Sequence, residues 1–191
     1  MEPYFASEQL FFWSADRHRF PGESHRRHVT PFGHLAVAVL LAYGLGYADR
    51  ALALCLAGAV VPDLIDKPLL ALGVVPVSHS VGHSVLVVAG LAVAVLALPR
   101  LRPAAPLIVG WAGHVGADLI VAYPKFVVNY AWPILEVRPT PDDPFVAYWL
   151  EYAAGPLGFL EASLVVAAIV VCYTRWVRPD TSGTDATTER G

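Results

Sequence analysis

The apolar positions of the chain gather into five runs, separated by clusters of Pro, Gly, Arg and acidic residues, and each run predicts one helix. The first is predicted over 32–48, where Thr30 suits an N-cap and Pro31 the first helical position. The second is predicted over 50–65, after which Pro68, Gly73 and Pro76 break the pattern. A third, over 83–98, stops at Pro99, and Arg100, Arg102 and Pro103 make a tight basic turn. The fourth covers 104–121 and ends before Pro124. The fifth covers 157–177, with Trp176, Arg175 and Arg178 as interface anchors. No solenoid repeat and no heptad pattern competes with this reading.

The stretches between and around these runs have a different character. Residues 1–13 mix Tyr4, Phe5, Leu10, Phe11, Phe12 and Trp13 with Glu2 and Glu8, which suits a short helix lying in a membrane interface. Residues 14–31 are polar and basic and read as a solvated or headgroup-level segment; His18, His25 and His28 within them match no strong metal-ligand spacing. Residues 123–156 are rich in Pro, Trp and Tyr and predict a long interfacial loop with a short helix near 145–153. The tail, 178–191, is polar and reads as disordered. The chain therefore divides into an N-terminal interfacial and basic segment (1–31), a helical domain (32–177) and a tail (178–191).

Composition decides what surrounds the helices. The chain is 56% apolar and 15% charged, against roughly a quarter charged in soluble domains. The expectation is an all-α, integral membrane helical bundle of about five helices, multi-pass in the plasma membrane. A soluble all-α protein with buried helices is the competing picture, because several runs fall short of the roughly 20 residues that span a bilayer. Residues 1–31 contain no signal-peptide h-region, so insertion would rest on the first internal helix. A net charge of −3 removes the basic character expected of a nucleic-acid-binding protein. Cys55 and Cys172 sit inside apolar runs without a CxxC spacing and read as small hydrophobes.

The polar residues inside the apolar runs carry the chemistry. Asp63 and Asp66 are three apart in Val60-Val61-Pro62-Asp63-Leu64-Ile65-Asp66-Lys67, and ionisable groups in such a setting are functional candidates by default. With helices threading up and down, His34 at the start of the first, Asp63 and Asp66 at the end of the second, His83 at the start of the third, and His114 and Asp118 late in the fourth all fall at one membrane face; Glu161 joins them from the fifth. The opposite side holds only the 47–50 turn, the basic turn and the C-terminus. His114 and Asp118 are i, i+4 and can face one ion, as can His79 and His83 if that segment is helical. Imidazole and carboxylate donors suit zinc or a similar divalent ion. Asp63, with two oxygens, could bridge two metals. Asp66, Glu151 or Glu161 could orient ligands or move protons.

Each residue also has an ordinary explanation. His34 can be an interfacial residue, and Asp63 an acid satisfying the free N–H groups of a helix start. His83-Ser84 can be a helix cap, and His114 a buried histidine bonded to a carbonyl. It is their convergence on one face that argues for a site.

In order and placement, His34, Gly58 to Pro62-Asp63-x-x-Asp66, Gly82-His83-Ser84 and His114-x-x-x-Asp118 resemble a family of membrane-bound metal-dependent hydrolases, described in bacteria as LexA-binding and inner-membrane-associated. That family is distantly similar to the zinc-dependent phospholipases C and fungal zinc nucleases. The resemblance covers about residues 30–135, including the Trp132-Pro133 pair. It implies His34, Asp63, His83, His114 and Asp118 as metal ligands, accompanied by Asp66. The family's Arg-Gly-x-Thr-His-Ser stretch reads His79-Ser80-Val81-Gly82-His83-Ser84 here, so an arginine is replaced by His79, which becomes either an extra ligand or a group stabilising charge.

The expected function is hydrolysis of a phosphoester, such as a phospholipid headgroup, by water activated on a divalent metal, zinc first, with Asp66, His79 and Glu161 as catalytic candidates and membrane lipid as the partner. Two alternatives stand beside it: a non-catalytic membrane protein whose metal or hydrogen bonds lock the helix ends, and an ion transporter. Positive charges close to helix ends lie mainly opposite the site, which orients the site outward.

Overall fold

Thr30 and Pro31 open the first helix as their chemistry dictates. In the computed structural model, which describes residues 29–121, 124–135, 150 and 152–177, Thr30 is extended and its Oγ accepts the Gly33 N–H at 3.3 Å, while Pro31 occupies the first turn, where no N–H is needed. Helix α1 spans Pro31–Gly44 and ends before the expected 48 because the chain turns at Gly46, whose φ is +74°. The interfacial helix expected in 1–13, the basic segment 14–28, the tail and Glu151 lie outside the described residues; of the helix expected near 145–153, residues 150, 152 and 153 are described and are helical.

The run expected over 50–65 is two helices, α2 (Asp49–Gly58) and α3 (Val61–Ala71). Pro62 has no N–H with which to bond the carbonyl four residues back, so the helix breaks at Ala59-Val60 and restarts with Pro62 in its first turn. Asp63 and Asp66 therefore belong to the beginning and middle of a new helix, not to the end of the old one. Pro68, expected to stop the pattern, lies inside α3; Gly73, at φ +69°, turns the chain instead. Helix α4 (Val85–Ala97) begins two residues later than expected, capped by Ser84, whose Oγ accepts the Val87 N–H. The basic turn is a 3-10 helix, Pro99–Ala104. Helix α5 spans Ala105–Val121, a second 3-10 helix spans Pro124–Ala131, and α6 spans Pro156–Val177.

Helix α5 is the hub, packed against α1, α2, α3 and α4, while α6 lies along α1. Glycines set the α2–α5 distance: a Cβ on Gly58 would stand 2.0 Å from the Leu107 carbonyl oxygen, and one on Gly110 would stand 1.8 Å from that of Cys55. Such close backbone contact between helices requires residues without a Cβ at the crossing. Two apolar clusters fill the remaining space, one around Val88, Ile108, Trp111 and Tyr130, the other of Ala38, Ala42, Cys55 and Ala59.

The described residues are all-helical, without strands. Two segments, Pro99–Val121 and Pro156–Val177, are long and apolar enough to cross a membrane, fewer than the five of the expected bundle; Pro31–Gly44 and Val85–Ala97 are apolar but shorter.

Candidate metal centre

Asp66 builds the site's floor. Its carboxylate accepts the backbone N–H groups of Ser80 (2.8 Å), Gly82 (2.9 Å) and His83 (3.2 Å) and the Ser80 hydroxyl (3.1 Å). It also takes His83 Nδ1 at 2.8 Å. Burial alone would raise the Asp66 pKa; the bonds from His83, Gly82 and Ser80 outweigh it and hold the carboxyl below the usual carboxylate range. These bonds wrap residues 80–83 around α3 as a loop. His79 and His83 are thus not on the helix that their i, i+4 spacing suggested. Two more contacts fix the loop: Trp111 Nε1 donates to the Gly82 carbonyl at 2.6 Å, and Gly82 comes so near Pro62 that a Cβ would meet its carbonyl oxygen at 2.5 Å.

The tautomers of two histidines follow from their partners. Asp66 is an ionised acceptor, so His83 Nδ1 carries the hydrogen. Burial, the largest influence, brings the His83 pKa down to about 4 against the opposing bond to Asp66, so the ring is neutral at pH 7 and Nε2 bears a lone pair. His114 Nδ1 lies 2.6 Å from the Ala59 carbonyl, which can only accept, so Nδ1 carries a hydrogen and Nε2 is the nitrogen turned to the cluster. Those two Nε2 atoms face each other at 3.2 Å. Asp118 Oδ2 stands 3.4 Å from His114 Nε2 and 3.5 Å from His83 Nε2. His83 Nε2, His114 Nε2 and Asp118 Oδ2 thus form a triangle of atoms able to act as ligands. One proton can bridge two of them but not serve all three.

A metal ion can. Two donors about 2.05 Å from a tetrahedral zinc stand about 3.3 Å apart, and the sides of this triangle are 3.2, 3.4 and 3.5 Å. The Nδ1 partners, a carboxylate and a backbone carbonyl, are those that orient metal-ligating histidines.

Three further donors surround the triangle. His34 Nε2 is 3.4 Å from Asp118 Oδ1, its ring stacked on His114 with centroids 3.6 Å apart, and its Nδ1 is buried without a hydrogen-bond partner. His79 Nε2 is 3.6 Å from Asp118 Oδ2, with Nδ1 3.1 Å from the Ser78 hydroxyl. Asp63 Oδ1 is 3.9 Å from His83 Nε2. The sets His34-His114-Asp118, Asp63-His83-His114 and His79-His83-Asp118 each bring their ligand atoms within 4.8 Å of one another, so these His and Asp groups could hold a metal ion.

The candidates differ in what they do. His34, Asp63, His79, His83, His114 and Asp118 come together as donors. Asp66, considered for proton transfer, has its oxygens filled by donors and serves to orient His83. Asp63 has its second oxygen tied to Lys67 Nζ at 2.7 Å; the carboxylate whose two oxygens face different histidines is Asp118. Glu161 is absent from the cluster. It accepts the Thr30 N–H at 3.0 Å, the Thr30 hydroxyl and the Tyr152 hydroxyl at 2.6 Å, fastening the start of α1 to α6. It reaches the site only through the chain, since the neighbouring Val29 N–H donates to Asp118 Oδ1 at 3.3 Å.

Two of the ordinary explanations also hold, Ser84 as a cap and His114 as a carbonyl-bonded histidine, while Asp63 lies in the first turn of α3 with Lys67 as its partner. They prove compatible with a metal site, because those contacts use the atoms that face away from it. The Ala59 carbonyl and the Ser80 hydroxyl went unpredicted; only Pro62, by forcing the helix break, signalled the first. Compared with known families, curated proteins and solved structures, the chain matches none.

Proposed function

We propose that the protein is a multi-pass membrane hydrolase that holds a divalent metal, zinc first, and cleaves a phosphoester such as a phospholipid headgroup. The observation that carries this reading is the triangle of His83 Nε2, His114 Nε2 and Asp118 Oδ2, three atoms able to act as ligands and 3.2, 3.4 and 3.5 Å apart. The membrane part rests on the two long apolar segments and on α6, which leaves Phe159, Leu160, Val166 and Ile169 exposed.

When bound, such an ion supplies a Lewis acid and a water acidified towards neutral pH. The protein does the positioning. Asp66 and the Ala59 carbonyl hold His83 and His114 with their Nε2 atoms inward. Trp111 and Gly82 keep the loop against α3 and α5. Access is on the side of Asp63 and His79, whose side chains are 26% and 13% exposed, while those of His34, His83, His114 and Asp118 are 6% exposed or less. His79 stands at that opening beside Asp118, where it can hold a proton for a leaving oxygen.

Burial of four donors favours a second reading, a metal that only locks helix ends. The two separate in a turnover assay. Zinc-loaded protein in detergent is offered soluble phosphomonoesters, phosphodiesters and short-chain phospholipids, beside His79→Gln. The hydrolase reading expects cleavage that a chelator abolishes and that His79→Gln lowers by more than any fall in its zinc content. Stoichiometric zinc without turnover across the panel would establish the structural role instead.

A further inference from the structure

We propose that Lys67 recognises the anion of the substrate, so that the site takes a phosphate-bearing ligand through its Asp63–His79 opening. This rests on the metal reading above and adds to it the group that selects the ligand's charge.

Position comes first. Lys67 lies one turn after Asp63 on α3, and its Nζ stands 2.7 Å from Asp63 Oδ2. Asp63 Oδ1 meanwhile faces His83 Nε2 at 3.9 Å. The ammonium is thus one carboxylate away from the donor cluster, on its accessible side. The Lys67 side chain is 62% exposed and Asp63 26%, whereas the cluster's interior donors are buried. A ligand that reaches Asp63 from the exposed side therefore meets the Lys67 ammonium beside it.

Charge makes the case specific. Asp63, Asp66 and Asp118 bring three carboxylates to a site where one divalent ion offsets two negative charges. A phosphate anion would meet net negative charge there. Lys67 cancels the excess. An ammonium has three N–H donors on a flexible stem, and only one is needed for Asp63 Oδ2, so the others can turn to a phosphate oxygen without breaking that bond. The ordinary account, an i, i+4 surface pair that steadies α3, explains the 2.7 Å contact but assigns no role to its place at the opening.

The test uses the full chain in detergent, loaded with zinc, as wild type, Lys67→Met and Lys67→Arg. Zinc content is measured in each, and binding of inorganic phosphate and of phosphatidate in mixed micelles is followed by titration calorimetry. Lys67→Met is expected to weaken binding about fivefold, the scale of a partly exposed ion pair, with zinc content unchanged, and Lys67→Arg to keep most of the affinity. A loss confined to phosphatidate assigns the lipid headgroup as the source, a loss confined to inorganic phosphate a soluble phosphoester, and a loss in both the phosphate group itself. The inference is overturned if zinc-loaded wild type binds neither probe, if Lys67→Met binds both as wild type does, or if it loses zinc along with phosphate, which would make Lys67 a support for Asp63. Wild type that takes up no zinc would instead overturn the metal reading, and the Lys67 inference with it.

Discussion

At the residue scale, a single carboxylate decides how two histidines can act. Asp66 fixes His83 by its ring and its backbone, leaving Nε2 turned inward to the donor cluster. Asp66→Asn replaces one acceptor oxygen by an NH2 group that cannot accept the Ser80, Gly82 or His83 hydrogens. Zinc affinity should fall about 10- to 100-fold, measured by competition with a chromophoric chelator. Acid should act on the metal-free protein through His83. Its pKa is near 6.5 unfolded and about 4 folded, so between those values the unfolded state binds the extra proton. Stability therefore rises with pH across that window and is lost as pH falls from about 6.5 to about 4. Melting temperature in chelator at stepped pH checks this, and a flat profile over the window would contradict the neutral His83.

At the scale of elements, the site exists because one helix breaks and two others touch. Pro62 splits the second apolar run, placing the Ala59 carbonyl at the break against His114 and restarting the helix that carries Asp63 and Asp66. Gly58 and Gly110 let α2 approach α5 closely enough for that bond. Gly110→Ala should destabilise the protein by about 2–3 kcal/mol and weaken metal binding, because its Cβ can be housed only by separating the helices that hold Ala59 and His114. Gly90→Ala, in α4, meets nothing within 4 Å and should be neutral or stabilising by up to ~1 kcal/mol. Thermal melts of the two variants side by side test the contrast.

Much of this was legible in the chain. Thr30-Pro31 marked the start of α1, Pro99 the end of α4 and Pro124 the end of α5, because caps and prolines act locally. His114 and Asp118 were readable as a pair, since four residues on one helix fix their geometry. What escaped was non-local. Residues 72–84 carry no period, and their path is set by Asp66 collecting three backbone N–H groups from 14 to 17 residues away. Glu161, read as a group that orients ligands or moves protons, has Thr30 and Tyr152 as its partners, and the bond to Thr30 spans 131 residues, so no local spacing reports it.

At the scale of the whole molecule, α5 joins the two properties the function needs. It is part of one of the two membrane-capable segments and also presents His114 and Asp118 to the cluster. If the chain is the membrane protein proposed, it should stay with the membrane fraction after alkaline carbonate washing, and release by that wash would favour the soluble all-α alternative.

The central claim is that six His and Asp side chains hold a metal. Elemental mass spectrometry of detergent-purified protein tests it most directly, with wild type beside His114→Ala and Asp118→Ala, and Glu161→Gln as the variant outside the cluster. Wild type should carry near-stoichiometric zinc or another divalent metal, His114→Ala and Asp118→Ala should lose it, and Glu161→Gln should retain it. Wild type that carries no metal, even after reconstitution with divalent ions, would contradict that claim and leave a set of buried histidines held together by shared protons.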